Sequence, residues 1–331
     1  MQDSTGLDEL DLSIVHALQI APRASWRLTG EVLRVDAVTV ARRWQRLREK
    51  GLAWVTCVVT EAFAAVVDVD CVPGSSGELA HRLAADPQAL SIRHVAGSAS
   101  LTLLVAADDM QALSAYLLDR LQMLEGVRGA RSHIVTGLAA EGGDWRLRSL
   151  SRAQQRAIAS EGPVPSAAAS AAPLTTLDRR IAQALAADGR MPLADVARHA
   201  GVSVTTARRR MTALLGSRRL ALRCDISLPD SGWPVNVTFR GRAPANQAEA
   251  TARALAAVPE VRMCLNTAGP HNIVFDVCLR ALPEITAFES RVVQMLPEFR
   301  IADRNVILRT VKRIGRLIDV HGRAVGTVPM M

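Results

Sequence analysis

An internal duplication constrains this chain more than any other feature of its 331-residue sequence. A shift of 167 residues places Leu10-Asp11 on Leu177-Asp178, and the match continues without a gap through the first module. After five inserted residues the shift becomes 172, and Gly97 then falls on Gly269. The pattern predicts a tandem duplication with two modules in each copy.

The first module of each copy has the spacing of three short helices. In copy two, apolar residues recur every four positions from Leu177 to Leu185, which predicts a first helix. A second helix ends at Gly201, which can take the left-handed conformation that stops a helix. Ser203 then caps a third helix that runs to about Leu215. Copy one has the same pattern with other residues at the turn and the cap.

The second module changes to the two-residue alternation of β-strands. The elements predicted in copy one are strand 63–71, helix 77–85, strands 91–96 and 101–106, helix 110–124 and strand 127–137. Copy two repeats this order from Val235 to Val311. The order β-α-β-β-α-β predicts a ferredoxin-like domain, so the expected fold class is α+β.

These patterns divide the chain into six segments. They are a helix-turn-helix domain (7–54), a ferredoxin-like effector and assembly domain (62–138), a connecting segment (139–173), a second helix-turn-helix domain (174–222), a second ferredoxin-like domain (234–311) and a tail (312–331). The connecting segment combines an amphipathic helix, predicted from Trp145 to Ala159, with a Pro/Ala-rich linker from Gly162 to Pro173.

Charge is distributed unevenly between the copies. Residues 1–165 carry 17 Lys and Arg against 19 Asp and Glu, whereas residues 166–331 carry 23 against 13. The formal charge of +8 therefore comes from the second half, and all but two of the 40 basic residues are Arg. The guanidinium group suits phosphates and guanine edges, so the composition favours a nucleic-acid partner.

Motifs for metal, cofactor or nucleotide chemistry are absent from the sequence. The five cysteines lack CxxC spacing, and the seven histidines form no HExxH motif, so we expect no metal and no cofactor. Glycine-rich phosphate loops and the GxSxG motif are missing too. The cysteines resemble core residues of a reduced cytoplasmic protein, and neither a secretory signal nor a membrane span is expected.

The third helix of each helix-turn-helix is the strongest candidate for function. Such a helix lies in the major groove with its first turns against base edges. We predict DNA contacts from Thr39, Arg42, Arg43 and Arg46 in copy one and from Ser203, Thr205, Thr206, Arg208, Arg209 and Arg210 in copy two. The alternative is that the Arg208-Arg209-Arg210 run is only a solvated helix face.

A second candidate site lies at the hairpin of each β-α-β-β-α-β domain. Exposed polar residues on a rigid sheet often serve recognition, and the residues concerned are Gly97, Ser98, Ser100, Gly269, His271 and Asn272. The alternative is a turn that needs Gly only for its backbone angles.

Each copy resembles the Lrp/AsnC family of transcription regulators. The resemblance rests on residues such as Leu177-Asp178, Gly201-Val202-Ser203 and Arg209-Arg210, and it covers about residues 7–138 and 174–311. It implies specific binding to double-stranded DNA and assembly of a homo-oligomer, a dimer or larger, through the sheets. It also implies an amino-acid or other small-metabolite effector near the hairpin glycine.

The hairpins depart from the family pattern, in which an aromatic residue and Asp often follow the glycine. This chain has Ser98-Ala99-Ser100 and Pro270-His271-Asn272 instead, so copy two is the better candidate for a ligand. Fused siroheme decarboxylases also resemble paired Lrp/AsnC units, and in them Arg and His side chains would hold substrate carboxylates. Because both copies have a basic third helix and the histidines do not cluster, we expect a regulator and not an enzyme. A third alternative is a ligand-sensing assembly protein whose first helix-turn-helix no longer reads bases.

Overall fold

The computed structural model describes residues 6–60, 62–162 and 173–330. Most of the predicted Pro/Ala linker lies outside these residues. The α-helices are α1 (Glu9–Ile20), α2 (Trp26–Leu33), α3 (Ala37–Glu49), α4 (Ser76–Ala84), α5 (Met110–Ala115), α6 (Arg152–Ala159), α7 (Thr176–Ala187), α8 (Leu193–Ala200), α9 (Val204–Gly216), α10 (Ala248–Ala256) and α11 (Glu284–Met295). The strands are β1 (Ala53–Val59), β2 (Phe63–Cys71), β3 (Ala89–Ala96), β4 (Leu101–Ala107), β5 (Val127–Ala140), β6 (Leu220–Ile226), β7 (Val235–Arg242), β8 (Val261–Ala268), β9 (Ile273–Leu279), β10 (Arg300–Arg313), β11 (Arg316–Ile318) and β12 (Ala324–Thr327).

Side-chain caps and left-handed turns delimit the helices of both N-terminal modules. Asp36 and Ser203 accept hydrogen bonds from backbone N–H groups in the first turns of α3 and α9. Gly201 ends α8 at φ 71°, and Arg34 takes the same conformation after α2 at φ 58°. The turn therefore forms in both copies, although a left-handed residue with a side chain costs about 1–2 kcal/mol.

The two β-α-β-β-α-β units form one closed sheet. Within the copies the strand orders are β5-β2-β4-β3 and β10-β7-β9-β8. The edges meet across the copies, because β5 pairs with β8 and β10 pairs with β3. The chain order is thus as predicted, but the ferredoxin-like description, with its separate open sheets, does not fit the eight strands that close into a barrel.

A two-stranded ribbon joins the copies beneath the helix-turn-helix domains. Strand β1 pairs antiparallel with β6, from Ala53 opposite Ile226 to Val59 opposite Leu220. The core of the first helix-turn-helix includes residues of β6, and Cys57 of β1 lies in the core of the second. Each helix-turn-helix domain therefore packs against a strand of the other copy.

Two arginines at equivalent places in the repeat link the helix-turn-helix domains directly. Arg23 donates hydrogen bonds to the carbonyl oxygens of Gly189 and Met191, at 2.7 and 3.0 Å. Arg190 donates to the carbonyl oxygens of Pro22 and Ala24, at 2.7 and 2.9 Å. These reciprocal contacts fix the spacing of the two domains within one chain.

Some elements differ from the sequence-based expectation. The helix predicted from Trp145 to Ala159 begins only at Arg152, and the one predicted from Met110 continues beyond α5 as a π-helical turn. The tail contributes β11 and β12 to the sheet. Among the described residues, no helix is long and apolar enough to cross a membrane.

Candidate nucleic-acid interface and ligand cluster

The exposed face of α9 carries two arginines of the second helix-turn-helix domain, Arg208 and Arg209. Ser203, Thr205, Arg208 and Arg209 are exposed along its first turns. Within the described part of the chain, no group forms a hydrogen bond or ion pair with the Arg208 or Arg209 side chain. Thr206 is less available, because it is half-buried and its hydroxyl lies 2.9 Å from the Ser203 hydroxyl. This face can present two guanidinium groups and the Thr205 hydroxyl to DNA, because the Ser203 hydroxyl already caps α9.

Arg210 points instead into its own domain. Its guanidinium forms two hydrogen bonds with the carboxylate of Asp178 on α7, one of them at 2.7 Å. Asp178 is fully buried and also accepts a hydrogen bond from the backbone N–H of Thr175. Burial alone would raise the pKa of Asp178, but the bonds from Arg210 and Thr175 lower it overall. Arg210 therefore ties α9 to α7 in the structure.

Copy one repeats this internal pairing on α3. The Arg43 guanidinium lies 3.1 Å from the buried Asp11 carboxylate, and Arg46 pairs with the same group. The outer face of α3 offers less to DNA, since Val38 is 74% exposed and Thr39 is half-buried. Arg42 is exposed and has no partner among the residues described. Of the three arginines predicted to contact DNA in copy one, Arg42 is the one whose guanidinium has no partner among the described residues.

Close packing explains the hairpin glycines. Gly97 and Gly269 have φ of 152° and 151°. Gly97 lies against β10 of copy two, and Gly269 lies against β5 of copy one. A Cβ atom on Gly97 would lie 1.8 Å from Asn305 Oδ1, and one on Gly269 would lie 3.0 Å from His133 Nδ1. The glycines are required by the barrel closure itself.

Most of the predicted ligand-binding side chains are engaged within the chain. Ser98 donates from its hydroxyl to Asp303, at 2.6 Å, and Ser100 accepts from the backbone N–H of Cys71. The Asn272 amide exchanges two hydrogen bonds with the backbone of Ala243, both 2.9 Å long. His271 is the exception, because its ring forms no hydrogen bond with any residue that the structure describes.

His271 belongs to a polar cluster at one end of the barrel that the sequence reasoning missed. Its ring stacks on His133 with 6.3 Å between centroids, so the expectation that the histidines do not cluster was wrong for this pair. Arg240, 1% exposed, donates to Asp68 at 2.5 Å. His133 Nε2 lies 3.6 Å from the other Asp68 oxygen. Burial, and then the neighbouring His133, lower the pKa of His271.

The cluster contains polar atoms without partners. His133 Nδ1 and Arg240 Nε are buried and lack hydrogen-bond partners among the residues described. A buried donor without an acceptor costs about 1–3 kcal/mol. Because the Arg240 guanidinium and two imidazole rings converge here, the cluster could donate hydrogen bonds to an acidic group. Across the described residues, no group of three or more His, Cys, Asp and Glu side chains is arranged to hold a metal ion.

The fold defines a protein with paired helix-turn-helix domains and one barrel built from the sheets of both copies. The AsnC-type helix-turn-helix model matches residues 7–48 and 174–215, and the Lrp/AsnC ligand-binding domain model matches residues 64–142 and 235–317. The chain belongs to the Lrp/AsnC family, in a tandem-duplicated form.

Relatives of single-copy length are regulators by name. An uncharacterised HTH-type transcriptional regulator of Pyrococcus furiosus is 27% identical over 138 residues, which are 40% of this chain and 93% of the relative. A regulator of the same description from Pyrococcus horikoshii is 25% identical and is covered over 87% of its length.

One enzyme shares the fold along nearly the whole chain. The crystal structure of the siroheme decarboxylase NirDL matches with a TM-score of 0.58 and 13% identity, over 93% of each chain. The same enzyme has also been solved with an iron-uroporphyrin III analogue. This likeness contradicts the expectation that the chain is not an enzyme, which rested on the basic third helix of each copy and on histidines that do not cluster in the sequence.

Proposed function

We propose that this chain is a sequence-specific DNA-binding transcription regulator whose second copy makes the main base contacts. The observation that carries the proposal is the basic face of α9, where Arg208 and Arg209 are exposed beside the Ser203 cap and have no partner among the residues that the structure describes. A capped third helix with free guanidinium groups on its first turns suits the guanine edges of a major groove. The family models and the names of the relatives support the same class of function.

The proposal extends to the shape of the operator. The contacts of Arg23 and Arg190 hold the two helix-turn-helix domains of one chain against each other. One DNA operator would therefore contact α3 and α9 together. In a symmetric dimer, identical helices read identical half-sites about 10 base pairs apart or a multiple of that. Here α9 presents Arg208 and Arg209 where α3 presents Ala41 and Arg42. The half-sites should therefore differ, with stronger sequence preference under copy two.

Assembly and effector binding are also part of the proposal. The barrel edges pair inside one chain, so further association into homo-oligomers would use the outer surfaces of the ligand-binding domains. A small-metabolite effector agrees with the ligand-binding domain model.

Arg209→Ala is expected to weaken specific DNA binding by about 5- to 150-fold, because loss of one good base contact costs about 1–3 kcal/mol. Arg42→Ala should cost less, since its neighbours on α3 are Val38 and Ala41. Arg156→Ala, a change at an exposed arginine of α6, serves as the matched control. The measurement is a titration of bound genomic fragments at one fixed salt concentration. Equal losses for Arg209→Ala and Arg156→Ala would contradict the assignment.

A second candidate function is a decarboxylase that acts on a carboxylated tetrapyrrole, as NirDL does. The barrel-end cluster of His133, His271 and Arg240 favours it, because these are groups that can hold carboxylates. The deciding experiment is to add siroheme to the purified chain and measure released carbon dioxide. Turnover that is lost in His271→Ala, together with an absence of specific DNA binding, would favour this function over the regulator.

A further inference from the structure

A cleft of about 470 Å³ lies between the first helix-turn-helix domain and the part of the barrel that copy two contributes. One wall consists of the segment 140–152 and His16 of α1, and the other consists of residues 256–262, from the last residue of α10 to the first residues of β8. Its volume falls within the range of small-molecule sites, roughly 300–1,000 Å³. None of the hairpin residues considered above lines this cleft.

The cleft carries more positive than negative charge. Four arginines line it, against the acidic residues Glu141 and Asp144. Glu141 is partly neutralised by Arg223, 3.3 Å away. Arg148 and Arg152 are exposed, and in the part of the chain that the structure describes no group pairs with either side chain. These two guanidinium groups are free to bind an anion.

The other two arginines of the cleft are already engaged. Arg262 pairs with the buried Asp225, and Arg146 donates to the backbone carbonyl oxygens of Gly143 and Trp145. Burial lowers the pKa of Arg146. Arg146 and Arg262 therefore contribute positive charge to the cleft, whereas Arg148 and Arg152 are the arginines free to contact a bound anion directly. Arg148 has φ of 65°, a left-handed conformation that is unfavourable for a residue with a side chain and recurs at functional sites.

Two buried N–H groups of the same wall lack acceptors. His16 is 0% exposed, and its Nδ1 accepts a 3.0 Å hydrogen bond from the backbone N–H of Leu150. Burial, together with Arg146 and Arg148, lowers the pKa of His16 to about 4, so the ring is neutral and Nε2 carries its proton. Among the described residues, neither this Nε2 nor Trp145 Nε1 has a partner.

Most of the facing wall is apolar. Ala256, Ala257, Val258 and Pro259 line it, and the one charged residue of this wall that lines the cleft, Arg262, is paired with Asp225. A ligand that fills the cleft would therefore have an acidic end toward the arginines and a compact apolar body against this turn.

We propose that this cleft is a binding site for a small organic anion, a carboxylate on a compact apolar body. The carboxylate is held by Arg148 and Arg152, and the ligand supplies an acceptor to the N–H groups of the same wall. The site joins α1 and α6 to the barrel, so its occupant would brace the first helix-turn-helix domain against copy two. This proposal stands apart from the DNA-binding function, because it concerns other residues and its test uses no DNA.

The test is a calorimetric titration of the full chain with benzoate, and with benzamide as a neutral analogue of the same shape. Benzoate should bind saturably to the wild type, and at least tenfold more weakly to the Arg148→Ala/Arg152→Ala variant. Arg156→Ala is the matched control, because Arg156 is an exposed arginine of α6 outside the cleft, and it should bind like the wild type. The fluorescence of Trp145, which packs edge-on against Trp233 at 5.5 Å, should change with benzoate in parallel.

Three results would overturn the proposal: no saturable binding of benzoate to the wild type, undiminished binding to the double variant, or equal binding of benzamide. Circular dichroism of the double variant confirms that weaker binding does not arise from loss of folding. A His16→Phe variant provides a second check, because it removes the neutral N–H donor and keeps the arginines. Its affinity for benzoate should fall, and an unchanged affinity would contradict the part assigned to His16.

Discussion

Replacing Arg210 by Ala is expected to lower the free energy of unfolding of the second helix-turn-helix domain by about 2–3 kcal/mol. The change leaves the buried carboxylate of Asp178 with the Thr175 cap as its remaining partner. The loss should fall below the 3–5 kcal/mol typical of fully buried pairs, because the Arg210 side chain is 38% exposed. Replacing the adjacent Arg209 should change the free energy by less than about 0.5 kcal/mol, as is usual for a free surface residue.

Hydrogen exchange of the amides in α7 and α9 measures this difference in the full chain. Because the folded state lowers the pKa of Asp178 below its ordinary value of 3.8, its ion pair stabilises the domain fully above about pH 4. The stabilisation is lost as the pH falls below that value. The comparison is therefore made near pH 7. Equal protection of α7 and α9 in the two variants would show that Arg210 is not a structural residue.

DNA affinity is expected to fall about 10³-fold between about 50 and 200 mM salt. Each phosphate neutralised by an arginine releases counterions, and six phosphate contacts, three for each helix-turn-helix domain, give a log–log slope of about −5. Titration of one bound fragment at several salt concentrations provides the slope. Replacing one phosphate-contacting arginine should make the slope shallower by about one. A slope near zero would falsify the proposed DNA binding, whichever residues make it.

Local features of the fold were predictable because they depend on neighbouring residues. The caps at Asp36 and Ser203 and the turn at Gly201 follow from side-chain and backbone preferences over a few positions. The pairing of β1 with β6 was not predictable, because neither strand's own sequence specifies a partner about 160 residues away. Closure of the barrel depends on the same kind of long-range pairing.

In the candidate sites, too, the features set by local sequence were predictable and those set by distant residues were not. Exposure of Arg209 could be inferred from helical periodicity, but the inward turn of Arg210 depends on Asp178 in another helix. The sequence did contain a signal for this ion pair, because Asp11 and Arg43 recur in the repeat as Asp178 and Arg210 with the same spacing. Asp68 and Arg240 also occupy equivalent places in the repeat, with opposite charges, and they pair at the end of the barrel.

Selection of binding sites from random DNA tests the central claim most directly. The wild-type chain should enrich one asymmetric sequence, with the stronger preference in the half-site under α9, and the Arg208→Ala/Arg209→Ala variant should lose that preference. The Arg156→Ala chain should enrich the same sequence as the wild type. Sequence-specific binding through α9 would be contradicted if the wild type enriched no sequence, or if the double variant selected the wild-type sequence unchanged.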